Sequence, residues 1–270
     1  MCGRFVSATT PQLIADYFDA SVIKASLEQP NFNIAPSLEI PTIVERIDKD
    51  TQEQTRALTL FKWGLVPSWA KDIKIGFKLN NARSETALEK PAFRKAMAKR
   101  RCLIPADGFY EWLRIGEKPK DPKFPYFIHH VDGTQLAFAG LYEIWRDPEG
   151  RDDVGINDGG INDAQLLRTC TILTTHANEV MSHVHDRMPV MIDRKDWNEW
   201  LDPLNEDAAP LTRLFNPRPS REFELYRVSK AVNNARSAGS ELLRPLTELE
   251  PEAAQAAIPV ELRIVVDAEN

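Results

Sequence analysis

The chain has 270 residues, of which 43% are hydrophobic and 27% charged, the composition of an ordinary globular protein with enough material for one sizeable core. No run of about 18 apolar residues is present, so no membrane span is expected, and the N-terminus MCGRFVSATT lacks the basic-then-apolar pattern of a signal peptide. A net charge of -6 gives none of the basic footprint usual in nucleic-acid binders, although acidic residues concentrate in 147–163 and 247–270 and leave the rest closer to neutral. The three cysteines, Cys2, Cys102 and Cys170, are far apart in the chain and odd in number, which fits a reducing cytoplasm.

In chain order, Thr10–Phe18 reads as a helix opened by a Thr cap and a Pro. Strand-like runs rich in Val, Ile, Phe and Thr follow at Pro41–Glu45, Ala57–Trp63, Arg101–Tyr110, Tyr126–His130, Leu136–Leu141, Thr169–Thr174 and Val190–Ile192. Between them lie helical patterns at Ser84–Glu89, Pro91–Lys99 and Asp193–Leu201, the last with Trp197 and Trp200 on one face. Arg146–Arg168, rich in Gly and Asp, reads as a surface loop. These elements predict one α+β domain over 2–245, a curved, mostly antiparallel, barrel-like sheet with a few flanking helices, followed by an acidic C-terminal tail over 246–270.

The first chemical signal is Cys2 directly after the initiator Met. Removing Met1 would leave an amine and a thiol on adjacent carbons, a pair that condenses with an aldehyde to an imine and then closes to a thiazolidine. Free α-amines titrate near 7.7–8.0 and free cysteine near 8.5, so both are partly nucleophilic at neutral pH. Four segments could serve that terminus: Lys62–Pro67, Asn80–Thr86, Asp107–Trp112 and His183–Pro189. Singly each has an ordinary alternative, because strand-end acids are mostly solvated and a His beside an Asp is mostly structural. Cys102 and Cys170 lie in apolar runs and read as packing residues. His183 and His185 lack the further ligands that a zinc site needs, and there is no Walker loop or dinucleotide fingerprint, so neither metal nor cofactor is expected.

Taken in order, the segments MCGRF (1–5), NIAPS (33–37), WGLVPSWA (63–70), NARSET (81–86), CLIPADGFYEW (102–112), PYFIH (125–129), AGLYEIW (139–145), HDRMPV (185–190) and VSKAVNNAR (228–236) resemble the SRAP family (SOS-response-associated peptidase), the abasic site processing proteins. The resemblance covers roughly residues 2–245. It implies covalent capture of abasic sites in single-stranded DNA by Cys2, shielding the lesion during the DNA damage response, with lyase and peptidase-like activities alongside. It also implies catalytic roles for Cys2, Asn81, Glu111 and His185, with Asp186 orienting the imidazole. For DNA, Arg4, Arg83 and Arg187 are expected on phosphates, Trp63, Phe77 and Trp112 on bases, and Pro36 beside them. The expected state is a monomer in the cytoplasm, at the nucleoid when bound. Competing readings are a class II glutamine amidotransferase-like hydrolase using Cys2, which would release ammonia from glutamine, a non-catalytic single-strand binder, which would tolerate Cys2→Ser, and a protease acting on other proteins.

Overall fold

The computed structural model describes residues 2–24, 30–48, 51–118, 120–149 and 166–246. Two sheets share one core. The first has the order β13 (Phe223–Arg227), β9 (Lys123–His130), β8 (Gly108–Arg114), β1 (Arg4–Ser7) and β3 (Asn31–Ile34), antiparallel throughout. The second runs β12 (Arg187–Pro189), β11 (Leu166–His176), β10 (Leu136–Arg146), β7 (Arg101–Ala106), β4 (Glu39–Ile47), β5 (Gln54–Trp63) and β2 (Val22–Ile23). Here β5 also pairs parallel with β11, through Thr169↔Lys62 and Cys170↔Trp63, so β11, β10, β7, β4 and β5 close into a barrel. This is the α+β, barrel-like arrangement expected from the strand pattern.

One edge of β11 takes β5 and then the short parallel strand β6 (Asn81–Arg83), while antiparallel β12 lies on the opposite edge, where the segment after it also bonds β10 through Ala139 and Ala137. Four short helices pack on the described structure. α1 (Pro11–Tyr17) is capped by Thr10, and α2 (Arg94–Lys99) and α4 (Trp197–Leu201) join it in burying apolar faces against Ile43, Leu58, Leu103 and Leu141. α3 (Glu179–Ser182), capped by Asn178, leads into His185. Between the two sheets Phe5 meets Trp63 and Phe138 edge-on at 5.3 and 6.1 Å, and Phe109 meets Phe138 at 5.8 Å, the geometry aromatic pairs prefer.

Several boundaries differ from the pattern-based expectation. The run Arg101–Tyr110 is two strands in two sheets, broken at Asp107, whose carboxylate accepts Ala8 N–H (2.6 Å), Thr9 N–H (3.1 Å) and Gln135 Nε2–H (3.0 Å). Gly108 makes the corner sterically feasible, since a Cβ there would meet the Phe127 ring at 2.4 Å and Ile128 O at 2.6 Å. Ser84–Glu89 forms only a 3-10 turn over Ser84–Thr86, and Asp193–Leu201 opens as a 3-10 turn before α4. The strand expected at Val190–Ile192 sits earlier, at Arg187–Pro189, with Met191 making only an isolated bridge to Phe138. The loop expected over 146–168 is strand at both ends, where Arg146 pairs with Leu166 and Ile144 with Arg168; residues 150–165 lie outside the described residues. Of the expected tail, Leu246 is buried and 247–270 lie outside the described residues.

Candidate active site

The N-terminal strand β1 is held in the middle of the first sheet by β8 on one side and β3 on the other. Register places Arg4 opposite Tyr110, so Cys2 and Glu111 come to the same end of the β1–β8 pair. Cys2 is fully buried, and its carbonyl accepts Asn81 Nδ2–H at 2.8 Å. Burial pushes the Cys2 thiol up, and the nearby Glu111 charge adds to that effect. Glu111, only 2% exposed, is itself pushed up to about 7 by burial, with the positive amino terminus pulling the other way. Asn81 Oδ1 is buried and has no hydrogen-bond partner among the described residues.

Glu111 and His185 line one cleft of about 560 Å³, together with Trp112, Arg114, Lys123 and Asn233. The turn after α3 sets the imidazole: His185 N–H bonds Met181 O at 2.9 Å, and Nδ1 lies 3.0 Å from the Arg187 N–H and 2.9 Å from Asp186 Oδ1. One nitrogen cannot serve both at once. Burial, followed by the amino-terminal charge, lowers the His185 pKa, against the raising effect of Asp186. A neutral ring with its proton on Nε2 therefore accepts the Arg187 N–H, and Asp186, 83% exposed at its side chain, is a weak second partner. Cys2, Asn81, Glu111 and His185 are thus gathered at one end of the fold, from β1, β6, β8 and the turn before β12.

The expected DNA contacts divide. Trp112 is half-buried, forms a wall of the cleft and donates Nε1–H to Asn233 Oδ1 at 2.7 Å. Phe77 is 62% exposed, and Arg83 is exposed beside Asn81 in a groove of about 430 Å³ with Lys78, Lys90 and Trp69. Pro36 is half-buried in the turn between β3 and β4. Two expectations are corrected. Trp63 is wholly buried, bonds Asn80 O through Nε1 and packs on Phe5, so no base can reach its face. Trp63→Ala should act on folding, lowering stability by about 3–5 kcal/mol in urea unfolding. Its neighbour Gly64 holds φ at 132°, where a Cβ would lie 2.8 Å from Gly76 O. Arg187 is 9% exposed and forks onto Glu85 at 2.5 and 2.9 Å and onto Thr174 O, leaving nothing for a phosphate in this state. Arg4, half-buried, bonds Asn33 Oδ1 (2.7 Å) and Val232 O (2.9 Å) through Nη1, with a longer, exposed contact from Nη2 to Asn233 O (3.5 Å).

Two residues missing from the sequence-based set also shape the site. Asn33, 1% exposed, donates Nδ2–H to Ser237 O and Asn234 O at 2.7 and 3.0 Å, pinning the segment that carries Asn233 to the N-terminal strand pair. Trp69, 56% exposed, lines the groove next to Asn81. The first stands in NIAPS and the second in WGLVPSWA, so the motifs marked the neighbourhoods without marking the residues. Among the described residues no three His, Cys, Asp or Glu side chains gather as a metal cage, and no helix is long and apolar enough to cross a membrane.

A family model described as SOS response associated peptidase (SRAP) matches residues 1–235. The abasic site processing protein YoqW of Bacillus subtilis (strain 168) is 41% identical over 244 residues, which span 90% of this chain and 99% of YoqW. The abasic site processing protein HMCES of Pongo abelii is 31% identical over 246 residues, 80% of this chain and 65% of that protein. In fold, the chain resembles a crystallised protein of Bacteroides thetaiotaomicron with a TM-score of 0.73 at 21% identity, over 90% of this chain and 99% of that one. A phage-related protein of Bordetella bronchiseptica gives a TM-score of 0.61 at 27% identity, over 85% and 95% of the two chains. The match over residues 1–235 and the identity to these relatives show that this chain belongs to the SOS response associated peptidase (SRAP) family.

Proposed function

We propose that the chain, once Met1 is removed, captures the aldehyde of an abasic deoxyribose in single-stranded DNA as a thiazolidine on Cys2. Abasic-site processing itself is what its relatives are named for. The observation that carries the finer reading is the bond from Asn81 Nδ2 to the Cys2 carbonyl, with Glu111 close enough for its charge to act on the Cys2 thiol. The amine nitrogen adds to the aldehyde carbon, and the carbinolamine loses water as protonated Glu111 supplies a proton. The thiol sulfur then adds to the iminium carbon, its proton passing to the Glu111 carboxylate. The net products are a thiazolidine and one water.

A carboxyl with a pKa near 7 is present in both forms at neutral pH, as an acid–base group working in both directions requires. A protonated, buried thiol is a poor attacker of an amide, yet an iminium carbon is electrophilic enough to take it once a base is at hand. That contrast favours aldehyde capture over the glutamine amidotransferase and general protease readings. Asn81 Oδ1, buried without a partner, is suited to receive a hydrogen from the freed amine or a sugar hydroxyl. His185, on the cleft wall with Nδ1 accepting the Arg187 N–H and its proton on Nε2, is suited to donate a hydrogen bond to the departing oxygen during imine formation or the β-elimination that an imine permits, which would give a weak lyase activity. Reversal of the adduct would run these steps backward, the thiol leaving to give the iminium and one water adding to its carbon to release aldehyde and amine; release of Met1 would be a separate hydrolysis of the Met1–Cys2 amide, consuming one water.

The test is incubation with single-stranded DNA bearing one abasic site, followed by denaturing electrophoresis and mass spectrometry. The expected product has the summed mass less one water, survives heating, resists borohydride and leaves no alkylatable thiol at Cys2. An adduct seen only after borohydride trapping would reduce the reaction to imine formation.

A further inference from the structure

Around Phe124 the fold collects positive charge that the chemistry above does not use. Arg114 and Lys123 are directly opposite each other in the β8–β9 ladder, a like-charge pairing that destabilises a sheet unless something offsets it. Arg227 Cζ lies 4.2 Å and Lys230 Nζ 4.9 Å from the centre of the one Phe124 ring, so these two charges are within about one Debye length of each other, 8–10 Å. Arg114, Lys123 and Lys230 are exposed, and among the described residues none has a carboxylate within ion-pair distance. The cluster borders the reaction cleft: Arg114 and Lys123 line it, Leu113 joins Phe124 to it across the ladder, and Asn233 of the 3-10 turn Lys230–Asn233 forms its wall. Lys123 is near enough to His185 to help lower its pKa. Of the carboxylates of the cleft, Glu111 is buried, and Asp186, exposed beside His185, has no Lys or Arg within ion-pair distance among the described residues. In a chain of net charge -6, a one-signed cluster beside the site marks an anion's place.

We propose that Arg114, Lys123 and Lys230, grouped about the Phe124 ring at the rim of the cleft, hold the phosphodiester backbone on one side of the reacting nucleotide. This rests on the reading that the cleft takes single-stranded DNA. The ligand is a run of phosphates, because separate lysines on the strand β9 and on the 3-10 turn suit successive point charges better than one small anion. The strand leaves past Trp112, whose indole is fixed by Asn233, and its backbone crosses the rim.

The experiment measures the affinity of intact, lesion-free single-stranded DNA across a salt series for the wild type, Lys123→Gln, Lys230→Gln and the double variant, with Lys99→Gln, whose ammonium pairs with Glu206, as control. Each rim variant should lower the slope of log affinity against log salt by about 0.7, and the pair by about 1.4, while the control leaves it unchanged. Unchanged slopes in the rim variants would overturn the proposal. Abasic strands truncated on one or the other side of the lesion supply the second arm. The loss should disappear with one truncation and persist with the other; equal loss with both would overturn the one-sided path. Wild-type protein that forms no adduct on any abasic strand would instead sink the reading of the cleft, whatever the slopes.

Discussion

Cys2→Ala should lose the heat-stable adduct with abasic single-stranded DNA and yet still react. The variant keeps an α-amine after Met1 removal, so it still forms an imine, but there is no sulfur to close the ring. Two results are expected together: no band on denaturing electrophoresis without reductant, and a borohydride-trapped band with it. Strand scission at the lesion should rise relative to wild type, because the imine that ring closure removes is now free to undergo β-elimination. The structure makes this substitution mild. The thiol's only described hydrogen bond is a long contact of 3.9 Å to Arg4 O, and Asn81 holds the Cys2 carbonyl, which alanine retains. A heat-stable, reductant-independent adduct from Cys2→Ala would remove the thiol from the reaction. Loss of the trapped band as well, in a variant that remains folded, would remove the amine.

Much of this arrangement was readable in the sequence, and what was not has identifiable causes. The barrel strands β4, β5, β10 and β11 are long apolar runs because both faces are covered, and such runs announce themselves. The strands β1, β3 and β13, with sequences RFVS, NFNI and FELYR, are short and half polar, so no periodicity marks them; yet β1 is the strand that delivers Cys2. The parallel joining of β5 and β6 to β11 is a long-range event with no local sign, and it is what buries Trp63 and places Asn81. Lys62-Trp63-Gly64 beside a Pro looks like a surface turn until the barrel closes over it. Arg187 shows the same limit. Two residues after His185 it is expected on a phosphate, whereas its partner Glu85 is 102 positions away and visible only in three dimensions.

Glu111→Gln should make the protein slower and, above neutral pH, more stable. Burial raises the Glu111 pKa from an ordinary 4.5 to about 7, so the folded state holds a proton that the unfolded chain releases at lower pH. Below pH 4.5 the carboxyl is protonated in both states and contributes no difference. As pH rises from 4.5 to 7 the unfolded state gains the freedom to ionise first, and wild-type stability falls; above 7 the whole penalty is present. Glutamine cannot ionise. Its stability gain over wild type should therefore be near zero in acid and reach on the order of 1–3 kcal/mol above pH 7, measured by urea unfolding at the two ends. Adduct formation should fall by about a hundredfold to ten-thousandfold, the usual effect of losing a general acid–base group. Affinity for intact DNA should hold, since Glu111 is buried beneath the cleft rather than on its rim. The pH profile separates this role from a structural one. Wild-type rate should show an inflection near 7, where Glu111 passes between the acid and base forms it uses in turn, besides the limb of its α-amine near 7.7–8.0, which is all the variant should keep. A gain in stability that is the same at both pH values would show that the buried charge is not its source. A wild-type rate in the variant would take Glu111 out of the proton path and leave His185 to carry it.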